Sequence, residues 1–185
     1  MKKYWIQYKP FLLFLGKFSF TYLVLLLVYQ AYLSQYNEQR FEVDYFTKSV
    51  AEQTKQVLLL FDGAVTTKLM QTQPSVMIQY HGKNIARIVE GCNALSVIVL
   101  FVAFVVAFTG KWKPTLLFIL GGSLLIHVMN VLRIAALVVL IYHFPEQEPL
   151  LHGVVFPLII YSSVFILWVI WVNKFSLYAT KATSK

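Results

Sequence analysis

Between Phe11 and Leu33 the chain reads FLLFLGKFSFTYLVLLLVYQAYL, and three comparable apolar runs follow at about 92–109, 115–142 and 151–172. A helix needs roughly 20 apolar residues to cross a hydrocarbon core about 30 Å thick, and each run reaches or approaches that length. The sequence therefore predicts an all-α membrane protein with four transmembrane helices. Composition agrees, with 58% of residues hydrophobic, 13% charged and a mean hydropathy of +0.66. The first run follows the basic lead MKKYWIQYK, exceeds the length of a signal-peptide core and has no small-residue cleavage site behind it. It is expected to remain as an anchor, with Lys17 snorkelling toward the interface.

Charge then orients the spans. Sixteen Lys and Arg stand against eight Asp and Glu, and the cations cluster at Lys2, Lys3, Lys9 and Lys17, at Lys111 and Lys113, and at Lys174, Lys181 and Lys185. None of these regions holds an acid. All eight acids lie in the two other connections, 34–90 and the stretch HFPEQEPLLH that contains Glu146 and Glu148. Because Lys and Arg in short loops are retained in the cytoplasm, both termini are expected inside, and 34–90 and 143–150 outside. This bias sets topology and calls for no nucleic acid. The resulting division is a basic N-terminus and first helix (1–33), an extracytoplasmic segment (34–91), a three-helix membrane core (92–173) and a basic tail (174–185).

The extracytoplasmic segment carries patterns of its own. From Tyr45 to Met70 a broken helical periodicity suits a helix lying on the membrane or packing on the spans. After it, Val76, Ile78 and Tyr80 alternate before HGKN, and Ile85, Arg87 and Val89 alternate after it, which predicts a β-hairpin around a glycine-containing turn.

The hairpin leads to Cys92, the sole cysteine. No disulfide can form within the chain, and neither a CxxC motif nor a glycine-rich phosphate loop is present, so no metal or cofactor is expected. Counted from the cytoplasmic ends of their runs, Cys92 lies 17 residues from Thr109, Arg133 lies 18 from Thr115 and His152 lies 20 from Val172. At ~1.5 Å per residue all three stand about 26–30 Å above the inner boundary. A thiol, a guanidinium and an imidazole thus share one outer plane.

Each also has a plainer reading. A lone cysteine among apolar residues can be an inert small hydrophobe, Arg133 could snorkel outward, and His152 could be an interfacial histidine. Arg133 is the strongest of the three, because a charge inside HVMNVLRIAALVVLIYHF costs at least ~2.5 kcal/mol unless paired or hydrated. His127 and Asn130 precede it at three-residue intervals; Asn130 suits hydrogen-bonding support of the site and His127 suits helix–helix packing. His81 and His143 read as solvated loop residues. Glu90 could pair with a cation beside the thiol or stand on an exposed flank.

A thiolate, an arginine and a histidine at one plane suit acyl transfer. The thiolate is the nucleophile and needs a cationic or proton-accepting neighbour. His152 could take the thiol proton and return it to the leaving amine, while Arg133 could stabilise the thiolate or the oxyanion. The segments EGCNAL, NVLRIAAL and HGVVF, in that order, resemble the exosortase/archaeosortase family of membrane cysteine transpeptidases in its short Bacteroidetes-type form, over residues from about 76 to 172. The resemblance implies a catalytic Cys92, Arg133 and His152 at the outer face of a bacterial cytoplasmic membrane, with Asn130 part of the arginine motif. It also implies substrates that are exported proteins with a C-terminal sorting tail, cleaved beside membrane lipid. Where family members carry small residues after the cysteine, this chain has Asn93. A non-enzymatic assembly or polysaccharide-export partner, and a thiol-dependent lipid transferase, are the alternative expectations.

Overall fold

The computed structural model describes residues 2–61, 64–108 and 110–176, with the side chains of 2–7 and 38 left aside. The expected span end at Thr109 and the tail lysines Lys181 and Lys185 lie outside the described residues. The protein is mostly helical with one small antiparallel sheet, which contains the expected hairpin and one further strand.

Three helices are long and apolar enough to cross a membrane: Tyr8–Leu33 within α1 (Lys2–Leu33), α4 (Trp112–His143) and the last helical run, Pro145–Phe175. The expected second span is shorter. Its helix, α3 (Leu95–Ala107), has 13 residues, about 20 Å at ~1.5 Å per residue, so length alone does not give it the standing of a fourth span. The chain from Glu90 to Cys92 forms a 3-10 turn instead, and Ala94 takes a left-handed conformation at φ 64° that stops the helix from reaching back to Cys92. The Asn93 Oδ1 atom accepts the Leu95 amide at 2.9 Å, an Asx turn that leads into α3.

Aromatic and glycine contacts lock the lower bundle. Phe101 is fully buried against Gly122 of α4, in a cluster with Ile126, Val164 and Trp171. Trp171 donates to the Phe108 carbonyl at 3.2 Å, Gly110 bridges to Ser176, and the Phe14 ring lies 4.5 Å from that of Phe108. The start of α1, the α3–α4 turn and the end of the last run therefore share one end of the molecule. Lys9, Lys111, Lys113 and Lys174 belong to these segments.

The acidic segments occupy the other end. After α1, Asp44 caps α2 (Tyr45–Phe61) by accepting the Thr47 amide at 3.0 Å. Of the two expected placements, α2 takes packing on the spans: Val50, Ala51 and Leu58 join Val131, Ile134, Ala135 and Val138 of α4 in one core. His127 of α4 reaches Gln53 of α2 at 2.6 Å. The helix expected to continue to Met70 ends at Phe61, and β1 (Val65–Leu69) follows. The β-branched run Val65, Thr66, Thr67 favours a strand, a signal that the weak helical periodicity masked.

The expected hairpin is present as β2 (Val76–Tyr80) and β3 (Lys83–Ile88), with β1 paired outside β2 in the order β1-β2-β3. His81 and Gly82 both have positive φ, 48° and 75°, as a two-residue hairpin turn matched to strand twist requires. The expected facing of β3 shifts by one. Gln79 pairs with Asn84 and Ile78 with Ala86, leaving Ile85 as the extra residue of a bulge. Ile88 is consequently the buried residue, and Arg87 is exposed. His81 is exposed in the hairpin turn, as expected, with its ring 5.2 Å from that of Tyr142; His143 is exposed too but closes α4 rather than belonging to a loop.

Candidate active site

The site begins with three local accidents of sequence. The 3-10 turn lifts Cys92 off α3, half-buried at the end of β3. Arg133 projects from the upper half of α4, ten residues before its end. His152 lies exposed in a π-helical turn, Leu151–Val155, at the head of the last run. Pro157 explains that turn, because it has no amide to give to the Gly153 carbonyl four residues earlier, and widened turns of this kind recur at functional sites.

These three side chains come from three separate elements and line one cavity of about 370 Å³. Ile134, Leu137 and Ile141 of α4, Glu148 and consecutive residues of β3 complete its lining. The shared outer plane expected from the residue counts is thus a shared cavity, although Cys92 reaches it from a turn and not from a helix. No hydrogen bond joins the three side chains to one another among the described residues.

Asn130 supplies the link. It is 1% exposed; its Nδ2 donates to the Cys92 carbonyl at 2.7 Å, and its Oδ1 meets Arg133 Nη1 at a long 3.5 Å. One buried amide therefore ties the arginine to the peptide of the cysteine. The Arg133 Nε is buried with no partner among the described residues. A buried donor left unmade costs about 1–3 kcal/mol, and a guanidinium oriented in this way can still give hydrogen bonds to a group entering the cavity.

Glu90 is placed differently from both expectations. It is half-buried and accepts a hydrogen bond from the buried Tyr29 hydroxyl of α1, neither pairing with a cation nor standing on an exposed flank. This contact fixes the 3-10 turn to the first span. Asn93 is also buried and donates to Thr47 of α2 at 3.3 Å, so the turn bearing Cys92 is held from α1, α2 and α4 at once. His127 faces α2 and stands away from the cavity.

Arg87 and Glu148 line the cavity and were not singled out by sequence. Glu148 was discoverable, since it precedes His152 by four residues, one helical turn. Arg87 was hidden by the bulge that reset the facing of β3. Among the described residues no three His, Cys, Asp or Glu side chains gather as a metal site requires.

Residues 11–172 match the family model described as Transmembrane exosortase (Exosortase_EpsH). No curated protein and no solved structure matches the chain. The family match spans all the elements that build the cavity, and the chain belongs to the transmembrane exosortase family.

Proposed function

We propose that this multi-pass membrane protein is a cysteine transpeptidase that cleaves C-terminal sorting signals of exported proteins at the outer face of a bacterial cytoplasmic membrane. One observation carries the reading: Cys92, Arg133 and His152 line a single cavity. Family membership supports the reaction class, and the separation of basic from acidic ends supports a cavity facing outward with both termini in the cytoplasm.

In this reaction His152 accepts the Cys92 proton, and the thiolate adds to the carbonyl carbon of the scissile peptide bond. Arg133 gives hydrogen bonds to the oxyanion, where charge develops. The C–N bond then breaks, His152 returns the proton to the leaving amine, and a thioester joins Cys92 to the upstream part of the substrate. An incoming nucleophile, activated by His152, attacks the thioester and restores the thiol. A substrate whose own apolar tail lies in the bilayer beside the spans would have its scissile bond held at cavity height, and such positioning can replace several kcal/mol of barrier. The test is the fate of exported proteins in cells carrying Cys92→Ala or Cys92→Ser. Full-length precursors should accumulate in both while the variant remains in the membrane. Normal processing would end the transpeptidase reading and leave that of a non-enzymatic assembly partner.

A further inference from the structure

β3 is an edge strand, and its open side faces the cavity. Five consecutive residues, 84–88, line the cavity, with Met77 of β2 beside Arg87. A strand that shows one face to a cavity contributes every second residue, so a consecutive run marks the edge itself. Among the described residues no further strand pairs with β3, and no backbone hydrogen bond joins its far side to another element. Natural sheets cover or blunt such edges unless they are used. The opposite edge, β1, lies outside this cavity.

We propose that β3 binds the substrate polypeptide by edge addition: an extended segment next to the scissile bond pairs with it as a fourth strand. The proposal rests on the transpeptidase reading, which makes the occupant a polypeptide, and on continuity, since the edge and the Cys92 thiol belong to one cavity. The strand ends at Ile88, four residues before Cys92, at most about 14 Å of extended chain. A paired segment of a few residues therefore passes from the edge to the thiol without a break. Main-chain pairing of this kind supplies affinity with little regard to side chains, and Arg87 and Asn84, both exposed on the strand, remain to select among substrates. The bundle below contributes the scissile-bond chemistry, and the sheet contributes register.

The test uses the Cys92→Ala chain, which has no cysteine left, and the precursor that accumulates in cells carrying it. Asn84→Cys or Arg87→Cys is introduced on β3, with Lys68→Cys on β1 as the control, and single cysteines are moved through the precursor around its cleavage site. Disulfide yield should peak at every second precursor position, at least about threefold above the positions between, because alternate residues of a strand point to opposite sides. The peaks for Asn84→Cys and Arg87→Cys should be displaced along the precursor, and Lys68→Cys should give background yield. Peaks three or four residues apart would place a helix in the cavity and overturn the proposal, as would a flat profile or equal yield at Lys68→Cys. Absence of any precursor in Cys92→Ala cells would overturn the transpeptidase reading and this proposal with it.

Discussion

Replacing Asn130 tests whether the cavity works as a unit. Its amide makes two contacts from a buried position, donating to the Cys92 carbonyl at 2.7 Å and accepting from Arg133 at 3.5 Å. A neutral hydrogen bond contributes about 1 kcal/mol net and one to a charged group about 1.5–3 kcal/mol, and the long arginine contact belongs at or below the lower end. Loss of both in Asn130→Ala amounts to about 2 kcal/mol of positioning, or roughly 30-fold in rate if it is felt fully in the transition state. Asn130→Asp keeps the shape and the acceptor but sets a carboxylate against the Cys92 carbonyl, so it should fail to rescue. The assay is pulse-chase decay of the precursor, normalised to the amount of variant in the membrane. Processing by Asn130→Ala within about threefold of the unmodified chain would refute the coupling.

Arg133→Lys should leave processing close to that of Arg133→Ala, because a lysine offers a point charge where planar, forked donation is needed; near-normal precursor cleavage would reduce the arginine to a charge. Gly122→Ala should lower the thermal midpoint of the detergent-solubilised protein by the equivalent of about 1–3 kcal/mol, since a methyl group there runs into the buried Phe101 ring. Its neighbour Gly121 has open space around it, so Gly121→Ala should be neutral or stabilising, given the ~1 kcal/mol helix preference of alanine. For topology, Trp112→Cys in the Cys92→Ala chain should resist a membrane-impermeant thiol reagent added to intact spheroplasts; labelling from outside would reverse the orientation.

The spans were legible because hydropathy is a property of whole segments, and the three longest apolar helices fall where the runs lie. The grouping of the three candidate residues was legible through depth: a rise fixed per residue placed Cys92, Arg133 and His152 at one height, and they line one cavity. Departures arose where a single residue decides the backbone. Ala94 at positive φ cut α3 short, and the bulge at Ile85 moved Arg87 to the exposed side. Neither follows from periodicity, because each is stabilised by tertiary partners such as Thr47 for the turn and the α4 core for the sheet. β1 was missed because a five-residue strand beside a helix of mixed pattern carries little signal on its own. The role of Glu90 depended on Tyr29, 61 positions away in sequence, a separation that no local pattern encodes.

In the proposed reaction Cys92 carries the substrate covalently. The direct measurement is acid quenching of cells that carry the unmodified protein, which preserves thioesters, followed by peptide mapping of the Cys92 segment with and without neutral hydroxylamine, which cleaves them. A hydroxylamine-sensitive adduct is expected on Cys92 that contains the upstream part of an exported protein and is absent from Cys92→Ser. Undiminished processing by Cys92→Ser, with no adduct on Cys92 in the unmodified protein, would contradict covalent catalysis.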